Sequence, residues 1–250
     1  MKYLVIIVAF LCVACSKPTR VEEQIVEQLN FSTKTFTSER CIDDNCAKVE
    51  MTWPVAENGA AASSINQEVS QQLLVYFQQD KTYNNLDSAA KEYLNSYEEF
   101  KSDFPDAPGG WAIEVNVEKS YESDSTLSFK FSEYNFSGGA HPNSSVYYMN
   151  FDKTSGEYLS IDRVVLDNTK MLELAEQAFR QYHEVEEGVE LKDDGRFFLP
   201  ETGFFLPNAI GYENDKLHLT YIPYEIGPYV LGYTELEFPL EDLKGVVREK

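Results

Sequence analysis

Three histidines, two closely spaced cysteines and one acid framed by tyrosines are the residues whose types could do chemistry. His141 follows Ser137-Gly138-Gly139-Ala140 and precedes Pro142-Asn143. That two-glycine turn puts backbone where a side chain would clash and sets His141 where it can contact a partner or hydrogen-bond across the turn. As a general base it would need a nucleophile or a bound water within reach. His218 alternates with Leu217 and Leu219, on a face open to solvent or covered by a helix. His183 ends a helical stretch, where its charge suits the dipole. Both read as structural. No two histidines stand at i,i+4, so no zinc-binding helix is formed, and no metal or cofactor is expected. Neither a Gly-x-Ser-x-Gly elbow nor a glycine-rich loop leading into a helix with a lysine occurs. Glu225 sits within Tyr221-Ile222-Pro223-Tyr224-Glu225-Ile226-Gly227-Pro228-Tyr229, and tyrosines anchor interfaces because they bury area at low entropic cost. The same run also reads as a sheet edge with tyrosines laid over a core. His141, Asn143, Tyr221, Tyr224, Glu225 and Tyr229 are therefore the candidate binding residues, and Gly138, Gly139 and Gly227 the candidate turn glycines. No catalytic residue is assigned, although 42 acidic residues leave a carboxylate pair for glycoside hydrolysis open.

The elements that must position these residues are legible from periodicity. Residues 29–37 form a Thr-rich strand candidate. Residues 46–55 alternate, with Val49, Met51 and Trp53 on one face, and Pro54 ends the strand. The two make a hairpin closed at Cys41 and Cys46, whose intervening Asp43-Asp44-Asn45 is turn chemistry. Ile65, Val69, Leu73 and Phe77 recur every four residues, an amphipathic helix with a capping box at Ser64 and Gln67. Asp87 caps a second helix carrying Ala90, Tyr97 and Phe100. From Trp111 the period changes to two, through Ile113, Val115 and Val117 and then Leu127, Phe129 and Phe131. Another strand runs through residues 146–151 and a third helix is capped by Asp167. Residues 196–199 and 203–206 read as short Phe-rich strands, residues 217–221 and 235–238 as clear ones, and residues 239–243 as a short helix with Pro239 in its first turn. The order specifies α+β, a mostly antiparallel sheet packed with about three main helices.

The 250 residues are 43% hydrophobic and 14% aromatic, enough for a sizeable core, and carry a net charge of −21. A phosphate backbone would repel such a surface, so nucleic acid is excluded as a partner, whereas a cationic protein would be steered in. Lys2 precedes an apolar run over residues 4–13 that is too short to span a bilayer and has the length of an export signal. Cys12-Val13-Ala14-Cys15-Ser16 resembles the bacterial lipoprotein processing box, with Cys12 where leucine is usual. The resemblance implies cleavage after Ala14, diacylation of Cys15 and, from Ser16 in a Gram-negative host, outer-membrane sorting facing the periplasm. Export leaves Cys41 and Cys46 as an even pair in an oxidising compartment, so a disulfide is expected. A metal site is the alternative, without nearby histidines.

Tyr134 to Asn143, Asn150-Phe151-Asp152 with Thr154 and Gly156, and the tyrosine-rich run from Tyr221 to Tyr229 with Gly232 resemble the RsiV-like C-terminal domain, also called DUF3298. Pro142 stands where that family commonly has a small residue. Val49 to Pro54 and the helix from Ile65 are similar to the companion N-terminal domain, DUF4163, of PdaC-type peptidoglycan deacetylases. The division implied is a signal peptide over 1–14, a tether over 15–28, a PdaC-like region over 29–110 and an RsiV-like region over 111–250. Family members of the RsiV kind bind lysozyme outside the membrane. With neither a sigma-binding region ahead of a spanning helix nor a separate deacetylase domain read here, extracytoplasmic binding is expected to carry over, while signalling and deacetylation are not.

Three readings follow. The chain is a lipid-anchored envelope protein binding lysozyme, another cationic envelope protein or a peptidoglycan fragment. It is a structural envelope lipoprotein without a small ligand. It is a peptidoglycan-modifying enzyme using His141 or Glu225. Binding rather than catalysis is the expectation.

Overall fold

The computed structural model describes residues 29–77 and 81–248. The expected signal peptide, tether and lipidated Cys15 lie outside the described residues. The chain opens on a hairpin, β1 (Asn30–Ile42) and β2 (Asn45–Glu57), in which Cys41 faces Cys46 across the turn. The two sulfurs are bonded, with Cα atoms 4.0 Å apart, so the expected disulfide closes the hairpin. Helices α1 (Ala62–Val75) and α2 (Leu86–Asp103) then carry the chain back to β3 (Ala112–Glu122), which pairs parallel to β2. A parallel pair needs such a crossover, because no tight turn can join it. The remaining strands, β4 (Thr126–Phe136), β5 (Asn143–Asp152) and the two-residue β6 (Tyr158–Leu159), add antiparallel in sequence order to complete a six-stranded sheet. Ile65, Val69 and Leu73 of α1 bury against Met51, Val115, Phe129 and Phe151 of the sheet.

Short α3 (Ile161–Val164) and α4 (Asn168–Tyr182) follow. A second, antiparallel sheet comprises β7 (Ala209–Glu213), β8 (Lys216–Tyr221) and β9 (Thr234–Pro239). Met171, Ala175 and Phe179 of α4 pack on Leu217, Leu219, Tyr221 and Leu236 to form the second core. The α+β architecture with mostly antiparallel sheets is as the sequence specifies.

The two sheets meet through both polar and aromatic groups. Asn150 donates from Nδ2 to the Ile210 carbonyl at 2.9 Å and accepts at Oδ1 from Ser128 Oγ at 2.8 Å. Ser120 Oγ donates to the Tyr212 carbonyl at 2.7 Å. A bulge between Lys119 and Tyr121 re-aims Tyr121 away from the first core, and its ring stacks on Tyr212 with centroids 5.3 Å apart. Gly211 lies so close to the Tyr148 ring that a Cβ there would overlap it. His218 faces this junction, beside Tyr148 and Glu213, rather than solvent or a helix.

Several local expectations are corrected. Pro54 does not end β2, which continues to Glu57. Past Thr52 only β1 pairs with it, so a missing donor can face the open side. The α1 N-cap is Ala61 without a side-chain bond, not a Ser64 box, and α2 is capped by Asn85, whose side chain accepts from Ser88 N, with Asp87 in the first turn. Asp167 does cap α4. Residues 196–206 are loop, not strands. Prolines at 200 and 207 deny them a ladder, and Phe197, Phe204 and Phe205 pack into the second core instead. Leu240–Leu243 is a 3₁₀ turn with Pro239 as its N-cap.

Because Asn150 holds Ile210 and Ser128 together in a buried setting, Asn150→Ala strands both partners. Chemical denaturation should show a loss of about 2–3 kcal/mol, the cost of leaving buried polar groups unpaired. An unchanged midpoint and slope would remove this junction as a determinant of stability.

Candidate functional site

Residues 137–142 connect β4 to β5 and bring His141 to the molecule's surface. Gly138 and Gly139 have φ of +93° and +102°, which side chains rarely adopt. The glycine requirement is conformational and not steric: a Cβ at Gly139 would meet nothing within 4 Å, and one at Gly138 only Trp111 Nε1 at 3.8 Å. Gly227 is the opposite case. Its φ is unremarkable, but a Cβ would lie 2.5 Å from Leu231 Cδ2 and 3.2 Å from the Arg196 carbonyl.

The loop between β8 and β9 lands on the His141 turn. Tyr229 stacks on the imidazole with centroids 3.9 Å apart and planes inclined by 20°. Tyr224 Oη lies 3.3 Å from His141 Nε2. His141 Nδ1 lies 2.9 Å from the Pro142 carbonyl, which can only accept, so Nδ1 carries the proton and Nε2 accepts from the tyrosine. Tyr229 donates to the same carbonyl at 3.3 Å. Tyr224 is 55% exposed and holds φ of +71°, a strained conformation for a bulky residue. Val230, at 90% exposure, extends the apolar surface.

Glu225 turns away from this stack. Its Oε1 accepts from Asn208 N at 2.8 Å and Asn208 Nδ2 at 2.9 Å, and its Oε2 from Ile222 N at 3.0 Å, so it braces the loop. Asn143 is exposed at the start of β5, opposite Asn135. Tyr221 is placed differently from the expectation of a surface residue. It has no exposed surface, donates to the Phe205 carbonyl at 2.6 Å and packs edge-on to Phe179, so it belongs to the second core. His183 is corrected too. Burial, reinforced by the Arg196 cation, lowers its pKa, so the neutral ring is favoured over a dipole-bound imidazolium. Its Nε2 lies 2.8 Å from Thr234 Oγ1.

On the other side of Glu225 opens a cleft of about 350 Å³ lined by Gln72, Tyr76, Glu133, Ser145, Tyr147 and Glu225, among others. It lies beside the start of β5, whose outer edge β6 leaves unpaired below Asn150. Glu133 accepts from Ser145 Oγ at 2.6 Å. Burial raises its pKa above the carboxylate norm, against the opposing effect of hydrogen bonds from Ser145 and Asn135. Sequence reasoning missed Glu133, yet a signal was there. It continues the alternation of Leu127, Phe129 and Phe131, which puts an acid on the core face of β4. Glu39, Cys41 and Cys46 place ligand-type atoms within 4.8 Å of one another, the single such group among the described residues, but the sulfurs are bonded and a thiolate is what binds metal.

Residues 41–144 match the family model described as deacetylase PdaC, and residues 166–241 match that of the protein of unknown function DUF3298. The first match includes the Gly138-Gly139 turn, so His141 belongs to the PdaC-like segment and Tyr224 and Tyr229 to the DUF3298 segment. A DUF3298 family protein from Pseudomonas aeruginosa PAO1 is similar in structure, with a TM-score of 0.63 and 21% identity over 88% of this chain and 95% of that one. A DUF3298 family member from Bacteroides fragilis NCTC 9343 has a TM-score of 0.69 and 15% identity over 88% and 94%. No curated protein matches the chain. The expectation of binding without catalysis is corrected by the first match, since the family that residues 41–144 fit is described as an enzyme.

The raised pKa of Glu133 has a thermodynamic consequence. The unfolded carboxyl ionises near its ordinary 4.5 and the folded one only at higher pH, so folding is penalised increasingly as pH rises through that interval. Glu133→Gln should remove this slope and stand more stable than the parent at neutral pH by denaturant titration. A parallel pH profile for the two proteins would contradict the assignment.

Proposed function

We propose, for a chain that joins an N-terminal PdaC-like domain to a C-terminal DUF3298, RsiV-like domain, that it is a lipid-anchored cell-envelope protein that grips a peptidoglycan glycan strand at the His141 stack and brings its N-acetyl groups to the Glu133–Glu225 cleft. The observation that carries this reading is the convergence of the two family segments, which lay Tyr229 on His141 at 3.9 Å beside an exposed Tyr224. Exposed rings offer flat apolar faces to a sugar, and the Tyr224 hydroxyl, which donates to His141 Nε2, keeps acceptor capacity for a sugar hydroxyl. The family description directs the chemistry to an amide. Water adds to the acetyl carbonyl, the C–N bond breaks, acetate leaves and the sugar nitrogen takes up a proton. Glu133, whose burial favours the protonated carboxyl, is assigned as the donor of that proton. Glu225 positions the loop between them through its three N–H contacts.

The Ala14-Cys15 junction after the apolar run supports the lipid anchor and an envelope location. The net charge of −21 favours a second reading of the same surface, as a site for lysozyme or another cationic envelope protein.

The test is calorimetry and acetate release on the full chain with a β-1,4-linked N-acetylglucosamine oligomer. Tyr229→Ala is expected to weaken binding about tenfold, the equivalent of ~1.4 kcal/mol of lost ring contact. Glu133→Gln is expected to keep binding and lose acetate release. Neither heat nor acetate, with hen lysozyme binding in its place, would reject the glycan reading in favour of the second. In cells, Cys15→Ser should abolish acyl labelling and membrane fractionation, and retained labelling would reject the anchor.

A further inference from the structure

A second cleft lies at the opposite end of the large sheet from His141. β4 runs from Thr126 at this cleft to Phe136 beside the glycine turn, a span of about 33 Å. The cleft has a volume of about 600 Å³, within the range that holds a small organic molecule. Its apolar surface comes from the stacked rings of Tyr121 and Tyr212, with Leu240 and Val247. The Tyr212 hydroxyl donates to the Arg248 carbonyl at 2.9 Å, which fixes that ring. The β7–β8 turn forms one rim and is held tight by Asn214 and Asp215, both with positive φ.

The charge around this cleft departs from that of the chain. Acids outnumber bases two to one overall, yet here three cations, Lys216, Lys244 and Arg248, meet two acids, Asp215 and Glu241. Lys216 and Arg248 are paired with Glu237 and Asp152, neither of which lines the cleft. Lys244 is exposed and makes no ion pair among the described residues.

We propose that this cleft binds an amphipathic anion, a ligand with a short apolar body laid on the Tyr121, Leu240 and Val247 surface and a carboxylate or phosphate head held by Lys244. An uncharged apolar molecule would gain nothing from Lys244, and a small inorganic anion would leave the apolar surface open to water. The occupant is thus chemically distinct from a neutral glycan, and the inference stands independently of the site at His141.

The experiment is titration of the full chain with decanoate, decyl phosphate and decanol, followed by tyrosine fluorescence. Saturable one-to-one binding of at least one anion is expected, with decanol about tenfold weaker or more, as loss of a charge-assisted hydrogen bond gives. Lys244→Glu should weaken the anion by about tenfold or more and Glu241→Gln should tighten it, while circular dichroism stays unchanged because both side chains are exposed. Binding of decanoate alone would name a fatty-acid type of head, and of decyl phosphate alone a phosphomonoester. Absence of saturation with both anions, equal affinity for decanol, or a Lys244→Glu variant that binds like the parent would overturn the proposal.

Discussion

The buried contact between Asn150, Ser128 and the Ile210 carbonyl fixes the placement of one sheet on the other. Each sheet has its own helices and its own apolar core, and the second core also takes in Tyr121 and Leu159 from the large sheet. Directional hydrogen bonds act beside that apolar contact to set the register between the halves, where apolar packing alone would tolerate sliding. Gly211 against Tyr148 works in the same direction, because only a residue without a Cβ allows the strands so near. Lys130 and Tyr148 both reach Glu213 Oε2, at 2.9 and 3.0 Å, and close the same seam from its partly exposed side.

From that register the location of the site follows. The loop after β8 is carried by the small sheet and the glycine turn by the large one, so Tyr224 and Tyr229 meet His141 only while the sheets hold their relation. Tyr233 adds a tie by donating to Ser144 Oγ at 2.7 Å beside the turn. The strained φ at Tyr224 persists because Glu225 is anchored on Asn208 and Ile222 immediately after it. A surface assembled from two sequence segments in this way is coupled to the stability of the whole molecule.

Much of the fold was legible because it is written in local periodicity. Alternation from Trp111 to Phe131 gave β3 and β4, and the four-residue spacing from Ile65 gave α1. The cysteine spacing gave the closed hairpin. What local patterns do not carry is which strands become neighbours. The parallel pairing of β2 with β3 joins residues some sixty positions apart, and the meeting of His141 with Tyr229 joins residues farther apart still. Within the tyrosine-rich motif Tyr221 follows the core reading and not the binding one, since it continues the alternation of Leu217 and Leu219 and shares their burial. The Phe-rich segments misled for the converse reason, because apolar side chains reached the core from an irregular backbone. Glu133 went unnoticed although its position in the β4 alternation marks an acid on a buried face.

The central claim is that residues from both family segments form one ligand-binding surface. It is tested most directly by a nuclear magnetic resonance titration of the full chain, with labelled histidine and tyrosine, against an N-acetylglucosamine oligomer. The account predicts that the His141, Tyr224 and Tyr229 ring signals shift together with a single affinity, while His183 and His218 stay fixed. Shifts confined to one segment, or absent from His141 at saturation, would contradict it.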